Sequence, residues 1–390
     1  MRTGIAELPL HPGRAPAWLM QRMARLGAAV VESIIETAGH GELLLRLSDP
    51  FWFQALGCVL GFDWHSSGVT TTVTGALQKG LDDRRHELGI SICGGKGRRS
   101  RRTPDQIRTA CERTGLDPFP LLRASRLAAK VDSGAVQDGY QLYHHVFVLT
   151  SGGEWAVIQQ GMSAETRLAR RYHWLGVRVK EFGVEPHAAI ACDGRGPTMD
   201  LTASASEASR TAMVELARME PRHFEHEAGV MRKLRLPERH EVLLADVSSK
   251  HFASIRLKTF EAAPDRFDDL LEVQGVGPAT LRALALLSQV IFGARPCFDD
   301  PARFSFAHGG KDGYPYPVNR AGYDRTIAFL ETAVARAKVG EPQRLEALRR
   351  LDAFVRQDRS SLPDRPVRML HTPHPDVRGV SRDRQIELPF

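Results

Sequence analysis

The sequence predicts an α+β fold, in which an α/β amino-terminal domain with a β-hairpin in its sheet precedes a helical domain and a disordered tail. Apolar residues recur at helical spacing near the amino terminus, and two β-rich runs flank a glycine turn near the middle. Helical patterns dominate after about residue 202. The predicted domains span residues 1–200, 201–355 and 356–390, and the last contains five prolines and no periodicity.

Each element follows from a local pattern of side chains. Apolar residues on one helical face predict helices, and runs rich in β-branched and aromatic residues predict strands. The predicted elements are a helix over 16–38, a helix over 51–60, a strand over 88–93, a helix beginning at Thr103 or Pro104, and a hairpin with strands over 140–150 and 155–160. The turn of that hairpin is Ser151-Gly152-Gly153.

Charge and cysteine content limit the possible partners and the cellular compartment of the protein. Lys and Arg outnumber Asp and Glu by 53 to 46, giving a net charge of +7 and a pI near 9.3. That charge is compatible with a polyanionic partner but does not require one. The five cysteines are widely separated, with neither a metal-ligand spacing nor a disulfide framework. Because no long apolar run or signal-like segment occurs, we expect a cytoplasmic, nucleoid-associated protein without a membrane partner.

Residues 268–286 predict a helix-hairpin-helix, the motif with which many repair and replication proteins hold the DNA backbone without reading sequence. A short apolar helix precedes a Gly-Val-Gly turn, and a second helix starts at Pro278. Glycine permits close backbone approach, and free amides at a helix start favour a phosphate oxygen. The predicted DNA contacts are Gly275, Gly277 and Thr280. The alternative is an ordinary tight turn between helices.

The segment after this hairpin resembles the helix-hairpin-helix DNA glycosylases, in which a glycine- and proline-rich stretch leads to a catalytic aspartate. Asp299 or Asp300 would occupy that position. The bifunctional members carry a lysine in the hairpin where this chain has Ala279, so the resemblance does not extend to lyase chemistry. The alternative is that these aspartates cap a helix before Pro301.

The extreme carboxyl terminus resembles the hexapeptide with which bacterial proteins bind the replication sliding clamp. Gln385 would be the polar anchor, and Ile386, Leu388 and Phe390 would fill an apolar pocket of the clamp. The peptide has Ile where Leu is usual. The predicted partner is therefore the bacterial sliding clamp, and the alternative is an inert tail.

A run of cations in the amino-terminal half is a second predicted DNA contact. It consists of Lys96, Arg98, Arg99, Arg101 and Arg102. Such a run neutralises successive phosphates and releases their counterions. The alternative is a solvated charge run. The glycine-rich residues before it lack the spacing of a Walker A loop, so the sequence does not support ATP hydrolysis.

The most polar part of the sequence surrounds the predicted β-hairpin. Polar side chains in strands are costly to bury unless they are paired, so their concentration predicts a site. The predicted catalytic residues are Asp132, Asp138, His144, Glu154 and Gln160. Asp132 and Asp138 are the predicted ligands of Mg²⁺ or Mn²⁺, which would activate water and stabilise a pentavalent phosphate. The alternative is a hydrogen-bonded structural network.

Further phosphate contacts are predicted on either side of this cluster. Arg170 and Arg171 are suited to hold phosphate. His144 and His145 occupy opposite faces of a strand, so only one of them faces a given pocket. Lys311 lies in a glycine-rich aromatic loop whose rings suit base stacking, or alternatively fill the core below it.

Several long motifs resemble a bacterial and archaeal family defined by domain of unknown function 763. They lie at residues 2–10, 51–57, 62–68, 137–145 and 304–317, and the resemblance covers roughly residues 1 to 350. It implies no activity. It does imply that the tail is an addition outside the shared region, so a shared activity should survive removal of the tail.

The sequence therefore predicts a DNA-binding protein of replication or repair. The first hypothesis is a metal-dependent nuclease that acts on structured or single-stranded DNA and uses the polar cluster. The second is a non-catalytic DNA-binding protein recruited by the sliding clamp, and the third is a glycosylase-like enzyme that uses Asp299 or Asp300. A phosphate grip does not distinguish RNA from DNA, and the clamp-like tail favours DNA.

Overall fold

A five-stranded antiparallel sheet organises the computed structural model, which describes residues 15–62, 68–166, 168–192, 195–220, 250–302 and 320–360. The strands are β1 (Ile90–Lys96), β3 (Gln141–Thr150), β4 (Trp155–Met162), β5 (Ala169–Leu175) and β6 (His187–Ala191), in that spatial order. A separate pair joins β2 (Val136–Gln137) to β7 (Met199–Asp200).

Helices make up most of the remaining described chain. They are α1 (Ala17–Leu47), α2 (Pro50–Leu60), α3 (Gly68–Leu81), α4 (Thr103–Thr114), α5 (Pro118–Lys130), α6 (Glu207–Arg218), α7 (Lys250–Ala262), α8 (Phe267–Glu272), α9 (Pro278–Phe292), α10 (Arg320–Arg336) and α11 (Glu341–Ser360). Local sequence sets their ends. For example, Asp49 caps α2 by accepting the N–H of Phe51 at 2.8 Å, and Gly61 ends it with φ +92°.

Helices cover both faces of the sheet. The first face, which carries Val146 and Val148 of β3, packs against α1, α2, α3, α10 and α11. The second face, which carries Phe147 and Leu149, packs against α4, α5, α6, α8 and α9. Because successive side chains of a strand point to opposite faces, one strand supplies apolar residues to both cores. Both cores therefore combine residues from the two halves of the chain.

The mixed α/β class and the sheet with its central hairpin are confirmed. The predicted hairpin is β3 and β4, and the predicted strand over 88–93 is β1, shifted toward the carboxyl terminus. The first helix continues past its predicted end to Leu47, although Gly39 interrupts it with φ +83°. Helix α11 ends at Ser360, so it extends into the segment predicted as tail.

Among the described residues, no single helix has the length and apolar character needed to cross a membrane. Helices α1 and α2 pass that test of length and composition only as a pair, and they are bent by 107° relative to each other.

Candidate nucleic-acid interface

The segment predicted as a helix-hairpin-helix, residues 268–286, lies in α8 and α9. A turn at residues 273–277, which we call the hairpin turn, joins these two helices. Gly275 has φ +95°, and a Cβ atom there would lie 3.2 Å from Cγ1 of Ile255, so the turn needs glycine at this position. Val276 is buried, and its N–H donates to the Val273 carbonyl at 3.2 Å. The turn thus has one apolar anchor and an exposed glycine.

Helix α9 begins without a side-chain cap. Gly277 precedes it in an extended conformation, and Pro278 has no N–H. The first bond within the helix runs from the Leu281 N–H to the Gly277 carbonyl at 3.0 Å. The amides of Ala279 and Thr280 therefore lack acceptors within the helix, and amides in this position suit an anionic oxygen. Thr280 is buried, whereas Ala279 is exposed.

Side chains from α5 hold the hairpin against the rest of the protein. Lys130 Nζ donates to the carbonyls of Leu271 and Val273, the latter at 3.3 Å. Arg123 Nε donates to Glu272 Oε2 at 2.6 Å. These contacts fix the end of α8 and the entry to the hairpin turn.

A second set of bonds fixes the start of α9. Gln137 Nε2 donates to the Pro278 carbonyl at 2.9 Å, and Arg282 Nη1 donates to Gln137 Oε1 at 2.9 Å. Gln137 is the last residue of β2 and lies four positions before β3 begins at Gln141. The start of α9 is thereby tied to the end of the sheet at which β3 starts.

The predicted cation run forms an exposed turn at the end of β1. Residues 97–102 make a 3-10 turn. We call Lys96 and this turn together, residues 96–102, the basic turn. Its cations are all exposed and form no ion pair with any described residue; they are Lys96, Arg98, Arg99, Arg101 and Arg102. Lys96 Nζ lies 5.6 Å from the centroid of the Tyr143 ring. Within the described chain, five positive charges are thus presented without a neutralising partner.

The basic turn and the hairpin turn lie at the same end of the sheet. Lys96, the last residue of β1, is paired with His144 near the start of β3. The start of β3 follows Gln137, which binds the first residue of α9. Exposed cations and an uncapped helix start, both of the kinds that suit phosphate, are therefore grouped at one end of the sheet.

The first face of the sheet carries a buried polar network below the basic turn. His144 Nε2 lies 3.1 Å from the Thr74 hydroxyl, whose own hydrogen is directed at the Thr70 carbonyl at 2.7 Å. His144 Nε2 must therefore be the donor, so Nδ1 is an unprotonated acceptor, and it has no partner among the described residues. Burial lowers the pKa of His144 to about 3, which keeps the ring neutral.

Two more polar residues complete the first-face network. Gln160 accepts from the Thr70 hydroxyl and donates to the Tyr143 hydroxyl. Arg171 Nε donates to His173 Nε2 at 2.8 Å, and its Nη2 donates to the Pro50 carbonyl at 3.2 Å. These bonds join α2 and α3 to strands β3, β4 and β5.

The second face carries another network, centred on Asp132. The carboxylate accepts from Gln159 Nε2 at 2.5 Å, from Trp174 Nε1 at 3.0 Å and from His187 Nε2 at 2.5 Å. Since the Gln159 amide donates both its hydrogens, its Oε1 must accept from His145 Nδ1 at 2.9 Å. Asp132 is fully buried, and its three donors satisfy it.

The same chain of bonds continues to helix α5. His145 Nε2 is left as an acceptor, and the Ser125 hydroxyl donates to it at 2.9 Å. The Ser125 hydroxyl, the His145 imidazole and the Gln159 carbonyl oxygen that orients it are connected in the same order as the nucleophile, base and orienting group of a catalytic triad. Ser125 is only 6% exposed, however, so the arrangement joins α5 to the sheet and does not face solvent.

Asp138 belongs to a buried ion-pair cluster. Arg170 Nη1 donates to Asp138 Oδ2 at 2.9 Å, and Arg170 Nη2 donates to Asp300 Oδ2 at 2.6 Å. The Tyr172 hydroxyl donates to Asp138 at 2.6 Å. All three charged side chains are at most 4% exposed. The cluster ties the segment after α9 to strand β5.

Comparison with known proteins places the chain in a family. The family model described as a protein of unknown function, DUF763, matches residues 4–318. The chain belongs to this family. The match includes both turns and both polar networks and ends before α10. No curated protein and no solved structure matched the chain.

In this DUF763 chain, the sheet divides the predicted catalytic residues among separate places. His144 and Gln160 lie on the first face, whereas Asp132 and Asp138 bind side chains of the second face. Glu154 lies in the turn between β3 and β4, about 20 Å from His144 at a strand rise of about 3.3 Å per residue. Among the described residues, no group of three His, Cys, Asp or Glu side chains could hold a metal ion.

Other predicted contacts are buried by their own partners. Arg170 and Arg171 are each 1% exposed, so neither belongs to the surface that a phosphate can reach. Asp300 is bound to Arg170, and its Oδ1 accepts the N–H of Ala302 at 2.9 Å. Asp299 is exposed. Lys311, the rest of the aromatic loop, Gln385, Ile386, Leu388 and Phe390 lie outside the described residues.

Sequence reasoning missed several members of the networks. Thr70 and Thr74 are four residues apart on α3, a spacing that places both on one helical face, and this signal was available. Trp174 and His187 had no comparable signal, because their bonds to Asp132 span 42 and 55 residues.

Proposed function

We propose that this DUF763 protein binds the sugar-phosphate backbone of DNA with one end of its sheet, using the hairpin turn and the basic turn together. The observation that carries the proposal is the grouping of five exposed cations, unpaired within the described chain, with the uncapped start of α9. Cations and free amides are the groups that contact phosphate. Main-chain amides at a helix start contact phosphate and carry no sequence information, so we infer binding without sequence preference.

The strength of this binding should depend steeply on salt. Each phosphate neutralised on duplex DNA contributes about −0.9 to the slope of log K against log salt concentration. If all five cations of the basic turn contact phosphate, the slope is about −4.5. Fluorescence anisotropy with a labelled duplex over a series of NaCl concentrations measures this slope.

Paired variants locate the interface. Arg98→Ala/Arg101→Ala should make the slope shallower by about 1.8, corresponding to two lost contacts. The matched control is Arg178→Ala/Lys180→Ala, which removes two exposed charges near the opposite end of the sheet and should leave the slope unchanged. Equal losses in both variants would mean diffuse attraction to a basic protein. A wild-type protein that binds no DNA at low salt would overturn the proposal.

A second candidate function is metal-dependent DNA cleavage with Mg²⁺ or Mn²⁺. One observation favours it: Asp132 and Asp138 reach the same face, where their partners His187 and Tyr172 have ring centroids 6.1 Å apart. An ion there would have to replace Arg170 as the partner of Asp138. The test is incubation of end-labelled single-stranded, duplex and forked DNA with Mg²⁺, Mn²⁺ or EDTA. Metal-dependent cleavage that Asp138→Asn abolishes would support it, and intact DNA in every lane would exclude it.

We further propose that the terminal peptide recruits the protein to the sliding clamp. The support is the sequence pattern alone, with Gln385 as polar anchor and Ile386, Leu388 and Phe390 as apolar anchors. Deletion of residues 385–390 should abolish binding to purified clamp and leave DNA affinity unchanged. Clamp binding that survives this deletion would contradict the assignment.

A further inference from the structure

We propose that Lys130 is a positioning residue for the DNA interface, which holds the hairpin turn in its binding conformation and adds a positive charge beside it. This rests on the proposed function, since it concerns the same surface. Lys130 belongs neither to the hairpin nor to the basic turn. It is the last residue of α5, a helix that sequence reasoning did not connect to the hairpin.

The first support is the pair of carbonyls that Lys130 binds. The Leu271 carbonyl lies in the last turn of α8, where carbonyls lack N–H partners within the helix. The Val273 carbonyl also accepts the N–H of Val276, the bond that closes the hairpin turn. The ammonium group therefore braces both the end of α8 and the turn itself. A cation at the carboxyl end of a helix also suits the helix dipole.

The second support is the arrangement of charge around Lys130. The two carboxylates at this joint, Glu272 and Asp269, are paired with arginines. Arg123 contacts both carboxylates, and Arg126 contacts Glu272. Three cations of α5 thus face two of the three carboxylates of α8, and the third, Asp268, accepts the N–H groups of Phe182 and Gly183. Because Lys130 binds main-chain carbonyls, which carry no net charge, its positive charge remains to attract phosphate.

The third support is the position of this joint relative to the uncapped helix start. The hairpin turn is a short segment, so a bond at Val273 fixes one end of it while Gln137 fixes the other end at Pro278. Loss of the bond from Lys130 to the Val273 carbonyl leaves the Gly275 side of the hairpin turn without this restraint. The amides of α9 would then have to be ordered again whenever phosphate binds, at a cost in affinity.

Lys130 is also the group of this joint whose charge changes in the alkaline range. Partial burial and neighbouring Arg126 lower the pKa of Lys130, and Glu272 opposes that shift. The other charged side chains on the packed elements are Arg123 on α5, Asp268 and Asp269 on α8, and Arg282 on α9. Arginine remains charged and carboxylates remain ionised as pH rises above neutral.

The experiment compares the wild type with Lys130→Met, Lys130→Arg and Lys338→Met in the full chain. Lys338 is the control, because its ammonium group also donates two hydrogen bonds, here to the carboxylates of Glu32 and Glu36, but lies on the first-face side. We expect Lys130→Met to weaken duplex binding by about tenfold, as for loss of one charge-assisted contact, with a salt slope shallower by about 0.9. Lys130→Arg should restore most of the affinity, and Lys338→Met should bind like the wild type.

A pH series keeps the test decisive even where Lys130→Met does not fold. The wild type should lose affinity more steeply than Lys130→Arg as pH rises from neutral, since only lysine loses its charge there. Superimposable pH profiles would overturn the role of the charge, and wild-type affinity in a folded Lys130→Met would overturn the positioning role. Absence of DNA binding by the wild type would instead refute the proposed function itself.

Discussion

The interior of the sheet and its exposed end use similar side chains for opposite purposes. On the two faces, Asp132, His145 and Arg170 have their hydrogen-bonding groups largely occupied by other protein groups. At the exposed end, the cations of the basic turn and the amides of α9 have no such partners in the described chain. The sheet interior and its exposed end do not differ in polar composition. They differ in how many of their hydrogen-bonding and charged groups have partners within the protein. Closed networks stabilise the fold, and open groups are available to a ligand.

The largest expected effect comes from breaking the buried ion-pair cluster. Arg170→Met leaves Asp138 and Asp300 buried without their cation, which should lower the free energy of unfolding by about 3–5 kcal/mol. Urea denaturation measures it. The matched control is Arg98→Met in the basic turn, which should change stability by less than about 0.5 kcal/mol. If the two variants unfold alike, the division into closed and open regions is wrong.

A pH titration of stability tests the first-face network. The pKa of His144 is lowered to about 3 in the folded protein, against about 6.5 in an unfolded chain. As pH falls below about 6.5, the unfolded chain takes up the proton first, so stability is lost by about 1.4 kcal/mol per pH unit. His144→Gln should remove this contribution and make the curve less steep between roughly pH 6 and pH 4, while buried His145 and His173, whose pKa values are also lowered, keep theirs. An unchanged slope in a folded His144→Gln would contradict a buried, neutral His144.

The smallest expected effect concerns the hairpin turn. Gly275→Ala places a Cβ at φ +95° and 3.2 Å from Ile255, which should cost about 1–2 kcal/mol of stability and weaken DNA binding. Gly277 has an extended conformation, and a Cβ added there would enter open space, so Gly277→Ala should unfold like the wild type. Equal destabilisation by both variants would show that the turn is not held as described.

Local patterns predicted the elements whose own residues determine them. The hairpin of β3 and β4 follows from its alternation and glycine turn, and α2 follows from an apolar run after an aspartate cap. The opposite orientations of His144 and His145 also follow from the strand period, and the structure confirms them with partners on α3 and α5.

The candidate site was less accessible to sequence reasoning. Arg170 is 130 residues from Asp300, and no local pattern announces that pair. The sequence alone does not distinguish a buried arginine from an exposed one. Arg171 and Arg98 were therefore assigned the same role, although of the two only Arg98 can reach a phosphate. The support of the hairpin by Lys130 joins residues 141 positions apart. Burial and partner number depend on the assembled fold, and the sequence pattern does not contain them.

The first-face core has a consequence for synthesis on the ribosome. It contains Met23 near one end of the described chain and Leu351 near the other. At about 5–20 residues per second, the ribosome needs on the order of a minute or less to make the intervening chain. During that time Trp52 and Phe53, which are fully buried in the finished fold, await the helices that cover them. We therefore expect the nascent chain to be a client of holding chaperones until α11 has emerged.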